Sequence, residues 1–313
     1  MYLPIKINTW NEILCRILVL SRSIQVSIIL SFLFLTSNAQ PTNKNYPIQS
    51  SQFMYAYPLI NPSSIGINAN YEVLMGYQRP VSGFTGISTY YCNLSFVPYK
   101  IRTSAKSKNV TGLRFFNDNE GAYINRMRFY GTYAFHTRIN SRLNFAGGID
   151  FGGMNFSVKA TPTTEGASVF KADANSGIWL YNEKFHFGFS VNQLFNSVFQ
   201  PIDERTVLPT HLNLTGSYTI VENDVVELRP HLLITYPYYS KTGIQAGLHG
   251  LFLEKIIAAV SWNHKTSVSA MLGVNDLSVY KSNMNIILSY VTNTGKAALG
   301  INKLEISILY SFQ

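Results

Sequence analysis

Alternation of apolar and polar residues at every second position is the feature of this sequence that most constrains its fold. In the stretch 185–192, each odd residue is large and apolar, while each even residue is polar or small. The same alternation recurs over 126–136, 212–220 and 304–312. Because a strand turns successive side chains to opposite faces, each stretch predicts a strand with one apolar and one polar wall.

The number and length of these stretches predict an all-β fold, a transmembrane outer-membrane antiparallel β-barrel. The strands scatter around the 9–11 residues that a tilted strand needs to cross a bilayer, and their number, about fourteen, is even. A soluble β-sandwich or propeller would also alternate. The predicted strands cover 70–79, 85–97, 110–116, 123–136, 142–155, 168–181, 185–195, 210–221, 225–236, 243–253, 256–263, 267–275, 284–292 and 300–312.

Composition favours the barrel over the soluble alternatives. Only 13% of the residues are charged and 14% are aromatic, whereas about a quarter of a typical soluble domain is charged. The mean hydropathy is only +0.05, which suits a lipid face that alternates with a wet lumen. Aromatic residues near predicted strand ends are expected to form interfacial girdles; they are Trp179, Tyr181, Trp262 and Tyr280.

The N-terminus predicts a cleavable secretory signal. Lys6, Arg16 and Arg22 precede an apolar run from Ile24 to Leu35, and small residues follow, with cleavage expected after Ala39. The run is shorter than the roughly 20 residues of a spanning helix; an uncleaved anchor is the alternative. The predicted divisions, in the cell outer membrane of a Gram-negative bacterium, are a signal peptide over 1–39, a periplasmic N-terminal segment entering the barrel over 40–69, and the barrel over 70–313.

The lengths of the connections predict that both termini lie in the periplasm. Turns 182–184 and 222–224 then lie on the periplasmic side and are short, while connections 156–167, 196–209 and 237–242 lie outside and are longer. Short inside and long outside is the usual asymmetry of such barrels. Two connections depart from this asymmetry: 98–109 would be a long periplasmic turn, and 264–266 a short outer one.

No arrangement of residues predicts catalysis or cofactor binding. The sequence has no G-x-S-x-G motif and no phosphate loop. Cys92 is the one cysteine after the predicted signal, so neither a disulfide framework nor a zinc cluster is expected. We therefore predict no enzyme, no cofactor, no metal and no nucleic-acid partner. The histidines fall on separate strands and are expected to be polar or interfacial wall residues, chiefly of the lumen; they are His136, His186, His211, His231, His249 and His264.

The segment from Ser51 to Gly66 carries the most specific pattern. It reads Ser-Gln-Phe-Met-Tyr-Ala-Tyr-Pro-Leu-Ile-Asn-Pro-Ser-Ser-Ile-Gly, and a Gly-Phe-Thr-Gly stretch follows at 83–86. Both resemble the opening of the PorP/SprF family of type IX secretion membrane proteins, and the resemblance extends across the chain after residue 39. The matching motif residues, expected to serve partner contact or structure, are Ser51, Gln52, Phe53, Met54, Asn61, Pro62, Gly66, Gly83, Phe84 and Gly86.

The resemblance implies a non-enzymatic barrel that supports secretion or surface anchoring of cargo proteins and, in some members, gliding motility. The implied partners are outer-membrane lipid, periplasmic type IX secretion machinery and secreted cargo with a C-terminal sorting domain. Departures from the family pattern at Pro80, Val81, Thr210 and Leu304 favour a specialised paralogue. The polar, mildly basic inner faces also permit an outer-membrane porin or uptake channel for small solutes, which stays open as the alternative.

Overall fold

The structure is a computed structural model that describes most of the chain after residue 49. Residues 1–49 lie outside the described residues. The signal peptide over 1–39 and its cleavage after Ala39 therefore stay predictions. The described ranges are 50–81, 85–98, 107–162, 165–201, 206–238, 241–264, 266–279, 282–294 and 301–312.

Regular structure consists almost entirely of antiparallel strands. A short helix, α1 (Tyr57–Ile60), and a 3-10 helix (Pro62–Ser64) precede them. None of the helices in the described ranges has the length and apolar character needed to cross a membrane. The strands are β1 (Tyr71–Pro80), β2 (Ser88–Phe96), β3 (Ser107–Glu120), β4 (Ile124–Asn140), β5 (Leu143–Val158), β6 (Ala167–Tyr181), β7 (Phe185–Asn192), β8 (Val198–Phe199), β9 (Thr206–Val207), β10 (His211–Tyr218), β11 (Val221–Glu222), β12 (Val226–Tyr238), β13 (Lys241–Phe252), β14 (Ile256–Asn263), β15 (Ser267–Val279), β16 (Ser282–Asn293) and β17 (Lys303–Phe312).

Fourteen of these strands close into one barrel. Neighbours in sequence pair from β1 through β7, β7 pairs with β10, β10 with β12, and the order continues to β17. The pairing of β1 with β17 then closes the wall, so no strand edge is left to face lipid. The short strands lie outside this count: β8 pairs with β9 as a small hairpin, and β11 pairs with one end of β12.

The two faces of the wall differ as the alternation predicts. On β4, Phe129 and Tyr133 point outward and are exposed, while Arg128 and His136 point inward and are buried. The outward positions of other strands carry further exposed apolar side chains, such as Phe151 at 65% exposure. An outward apolar band around a closed strand wall is the surface that lipid requires. The predicted fold class is therefore confirmed.

Each of the fourteen predicted strands corresponds to one wall strand, with differences at the ends. The prediction of a long outer connection over 237–242 is wrong, because β12 extends to Tyr238 and β13 begins at Lys241. The two strands resume pairing after an irregularity between Thr235 and Tyr238. A bulge of this kind interrupts the ladder without ending it, so the alternation breaks before the strand does.

The two ends of the barrel, here called the near end and the far end, carry different connections. The near end is where β1 begins and β17 ends, with the rings of Tyr71 and Phe312 stacked at 4.5 Å between centroids. The far end carries the connections 159–166 and 193–210. Within the second connection, the β8–β9 hairpin packs apolar side chains against the end of β5; the buried cluster is Met154, Phe156, Phe199 and Leu208.

Candidate functional site: the lumen plug and the near-end cavity

Residues 50–66, which we call the plug, run around the inside of the barrel wall. Gln52 bonds to β16 and β17, and Met54 contacts β13. Tyr57 bonds to β12, Asn61 to β6 and β7, and Ser63 lies against β5. The plug therefore makes contacts on both halves of the wall in one pass and occupies the lumen.

The first residues of the plug are held by one buried carboxylate. Glu305 on β17 is 1% exposed, and it accepts hydrogen bonds from the hydroxyl of Ser50 at 2.5 Å and the backbone N–H of Ser51 at 2.8 Å. Tyr91 on β2 donates to the same carboxylate at 2.8 Å. The side-chain amide of Gln52 donates to two wall carbonyls and one serine hydroxyl. Several donors are what a carboxylate needs to remain buried.

Two side chains of the plug complete a hydrophobic cluster with the wall. Phe53 and Met54 are 1% and 5% exposed. Their wall partners are apolar residues at inward positions of β12, β14, β15 and β16. Burying a large apolar side chain contributes about 1.5–3 kcal/mol. The wall members of the cluster are Leu233, Ile257, Ala259, Met271 and Ile287.

An aromatic group surrounds helix α1. The Tyr57 hydroxyl and Nδ1 of His231 form a 2.7 Å hydrogen bond. The Tyr57 ring meets those of His186 and Trp179 at 4.6 and 5.2 Å between centroids. Burial raises the pKa of Tyr57 well above its ordinary value, so the hydroxyl stays neutral and available for this bond.

Two of the expected girdle residues belong to the lumen instead. Trp179 is 1% exposed and stacks on His186 at 4.5 Å, and the Tyr181 hydroxyl bonds to Nδ1 of His136 at 2.9 Å. Both share the inward parity of Gly177 on β6, which outweighs their place near a strand end. Trp262 does face outward, at 44% exposure; Tyr280 lies outside the described residues.

Glycines make a floor under the second half of the plug. The Asn61 amide donates to carbonyls of β6 and β7 at 3.0 and 3.1 Å, and its oxygen accepts from the Ser63 N–H at 3.0 Å. Gly148 and Gly177 are paired across β5 and β6. A Cβ at Gly148 would lie 2.5 Å from the Ser63 nitrogen, and one at Gly177 would overlap the Asn61 amide. The plug thus lies directly on the strand backbones.

A buried ion pair between β3 and β5 contacts α1. Arg114 on β3 donates to the carbonyls of Pro58 and Leu59 at 3.1 and 3.0 Å, and it pairs with Asp150 on β5. Each of these two carbonyls lies at the end of a helix too short to satisfy it internally. The guanidinium therefore ties the helix to β3 and β5 at once.

The end of the plug turns sharply into β1. Gly66 has φ +66°, and its N–H donates to Glu72 at 3.0 Å. The same carboxylate accepts from the N–H groups of Asn68 and Ala69. A side chain at Gly66 would be strained and would meet Val110. Glycine at this position therefore has a structural reason.

The structure gathers most of the sequence-predicted motif residues in the plug. Ser51, Gln52, Phe53, Met54, Asn61, Pro62 and Gly66 contact the wall or the plug itself, within the lumen and not outside it. Gly86 lies in a far-end turn at φ +83°; Gly83 and Phe84 lie outside the described residues. Partner contact by these residues stays a prediction. The predicted division of the chain, with a periplasmic segment that enters the barrel over 40–69, also stays a prediction.

A cavity of about 570 Å³ opens at the near end of the barrel. The plug forms its floor, with Tyr55 and Tyr57, and the ends of β6, β7 and β12 form its sides. On the other side of α1, a second cavity of about 30 Å³ remains, room for roughly one water. Charged residues at the near-end mouth are Glu183, Glu222, Glu227 and Arg229.

The described residues bring together no candidate metal-binding group. Across the described ranges, no set of three or more His, Cys, Asp or Glu side chains is placed to hold a metal ion. His186 bonds to Ser217 and His231 to Tyr57, so both act as hydrogen-bonding members of the lumen wall, as predicted. What the wall and plug define is an outer-membrane barrel with an occupied lumen.

Comparisons with known proteins agree with this class. A Pseudomonas aeruginosa FadL homologue has a TM-score of 0.50 at 9% identity, over 81% of this chain and 93% of that one. The CymD monoaromatic hydrocarbon channel gives 0.51 at 10%, over 88% and 95%, and a TodX channel mutant gives 0.53 at 10%, over 88% and 97%. Such likeness shows the fold alone. No curated protein sequence matches significantly.

The family follows from the sequence itself. The model of the type IX secretion system membrane protein PorP/SprF matches residues 42–310. The chain belongs to the PorP/SprF family, and the resemblance drawn from residues 51–66 is confirmed. The match includes the plug and the described wall up to residue 310, so the family model covers both.

Proposed function

We propose that this chain is an outer-membrane component of the type IX secretion system that supports secretion or surface anchoring of cargo proteins, including cargo used in gliding motility. The observation that carries the proposal is the occupied lumen in a member of this family. A barrel filled by its own chain presents rims and an outer wall to partners, and it performs this role without an enzymatic step.

The orientation of the barrel supports a division between its two ends. The near-end turns at 141–142, 182–184 and 253–255 are short, while far-end connections 159–166 and 193–210 are longer. Since short turns usually face the periplasm, we place the near end there, where it meets the secretion machinery. The far-end connections meet cargo with a C-terminal sorting domain at the cell surface.

Deletion of the gene tests this function. The secreted and surface-attached proteins of the deletion strain are compared with those of the parent, and of the strain complemented with the full chain. We expect one or more exported proteins to accumulate in the periplasm and to leave the surface. An unchanged set in the deletion strain would sink the proposal.

The plug argues against the alternative of a porin for small solutes. Its side chains are largely buried against the wall, and the cavity on the side of α1 away from the near-end cavity is only about 30 Å³. We expect the full chain to show no steady conductance in planar bilayers, whereas a variant lacking residues 50–66 gives open-channel steps. Stable open steps from the full chain would revive the porin function.

A further inference from the structure

The near-end cavity has a charge that is opposite to that of the whole chain. The protein carries 25 basic and 16 acidic residues, yet the cavity is lined by four carboxylates and one guanidinium. The carboxylates belong to Glu72, Glu183, Glu222 and Glu227, and the guanidinium to Arg229. Clefts lined by one sign of charge focus the field and attract the opposite charge.

Internal pairing leaves part of this negative charge available. Glu227 pairs with Arg229 at 2.9 Å, and Glu222 pairs with Lys184 at 3.2 Å between two largely exposed side chains. Exposed pairs of this kind are weak and exchange readily. The Glu183 side chain forms no ion pair with any described residue. The mouth can therefore accept a cation without breaking a buried interaction.

The sides and floor add aromatic surface and hydrogen-bond donors. Tyr55, Tyr57 and Tyr181 line the cavity and are only partly buried. Aromatic faces attract Lys and Arg side chains. The Trp179 ring also lines the cavity, and its indole N–H has no acceptor among the described residues, nor has the Tyr55 hydroxyl a partner there. Such unmet groups need an explanation.

We propose that the near-end cavity receives a basic peptide segment of a periplasmic protein. A Lys or Arg side chain enters over the tyrosines toward Glu183 and Glu222, and peptide carbonyls supply acceptors to Trp179 and Tyr55. The volume of about 570 Å³ lies within the usual range of ligand pockets. The inference rests on the proposed function only in placing the near end in the periplasm.

Binding of a defined peptide to the purified full chain in detergent micelles tests the proposal. The probe is an acetylated, fluorescein-labelled peptide of four Lys-Ala repeats, with Gln-Ala and Glu-Ala repeats for comparison. Fluorescence anisotropy gives Kd. We expect the Lys-Ala peptide alone to bind, with a Kd that rises between about 50 and 300 mM salt because charge screening weakens the attraction.

Matched variants locate the site. Glu183→Gln with Glu222→Gln removes two cavity carboxylates, and Asp224→Asn with Glu254→Gln removes the same charge from near-end turns outside the cavity. The first pair should raise Kd about fivefold and the second less than about 1.5-fold, as expected for exposed charges. A Trp262→Phe background leaves Trp179 as the one tryptophan after residue 39, and its emission should change on binding.

The proposal would be overturned by equal Kd changes in the two variant pairs, by equal binding of the Gln-Ala peptide, or by unchanged Trp179 emission at saturation. Preference for the Glu-Ala peptide would also reject it. The outcome is separable from that of the gene deletion. If the Lys-Ala peptide does not bind but the deletion strain shows altered secretion, the cavity inference alone is rejected. If the peptide binds but secretion by the deletion strain is unchanged, the secretion role alone is rejected.

Discussion

The two halves of the plug are held to the wall in different ways. The first half inserts Phe53 and Met54 between apolar side chains of β12 to β16. The second half lies on the glycine floor of β5 and β6 and is fixed by the amide of Asn61. Side-chain contacts can adjust by rotamer changes, whereas contact with strand backbone leaves no room for adjustment.

This difference separates the contacts that stabilise the plug inside the barrel from those that fix its place on the wall. Apolar contacts are non-directional and scale with buried area, so the burial of Phe53 and Met54 stabilises the plug inside the barrel without fixing its exact place. Hydrogen bonds to fixed carbonyls are directional, so the Asn61 amide, together with contact of Ser63 with the glycine floor, fixes where the second half lies, as the Gln52 amide does for the start of the plug. Substitutions in each half test this division.

The largest effect is expected on the apolar side. Phe53→Ala should lower the free energy of unfolding by about 3–5 kcal/mol, because it removes a buried ring and leaves a cavity. Urea unfolding of the refolded barrel in micelles measures the change. Phe151→Ala on the lipid-facing side is the control, and it should cost less than about 1 kcal/mol because Phe151 is 65% exposed. Equal losses would show that the plug contributes little to stability.

The next effect concerns the glycine floor. Gly148→Ala should destabilise the barrel by about 2–3 kcal/mol, because overpacking against a backbone cannot relax easily. The adjacent Gly147 provides the control: its added Cβ would have its nearest neighbour at an ordinary 3.8 Å. Gly147→Ala should be neutral or slightly stabilising.

Conductance adds a positional measure to the same pair. If the second half sets position, Gly148→Ala also produces flickering current in planar bilayers, while Gly147→Ala stays closed. A stable, silent Gly148→Ala barrel would remove the distinction between the two halves.

The smallest effect lies at the junction of the halves, on α1. Tyr57→Phe should cost about 1 kcal/mol through loss of one hydrogen bond to His231. Tyr55→Phe should change stability by less than about 0.5 kcal/mol, since its hydroxyl has no partner among the described residues. Urea midpoints of the two single variants compare them; a larger loss for Tyr55→Phe would contradict this assignment.

The strands of the wall could be predicted from the sequence because the alternation that marks them is a local pattern. Alternation along 185–192 or 126–136 depends on the parity of a strand and on nothing distant. Parity would also have placed Trp179 and Tyr181 correctly, since both share the register of Gly177. Their place near the end of a strand suggested an interfacial girdle, but the face of the strand on which they lie decides that they belong to the lumen.

The plug could not be predicted in the same way, since it has no period. Its residues 50–66 form one short helix, one 3-10 turn and extended links, and their partners lie on strands far away in sequence. One signal was present: Gly112, Gly148 and Gly177 all occupy inward positions on β3, β5 and β6. Glycine in a strand often marks the close approach of another group. At Gly148 this group is the plug backbone at Ser63, at Gly177 it is the Asn61 side chain of the plug, and at Gly112 it is the Leu94 carbonyl of β2.

The carboxylate of Glu305 makes binding of the plug depend on the register in which the barrel closes. It belongs to the last strand, yet it holds Ser50, 255 residues earlier in the sequence. A slip of one residue in the pairing of β17 with β1 would turn Glu305 toward lipid and leave Ser50 and Ser51 without their acceptor. Only the correct register allows both the pairing of β17 with β1 and the hydrogen bonds of the plug to Glu305. A barrel closed in a shifted register is therefore less stable.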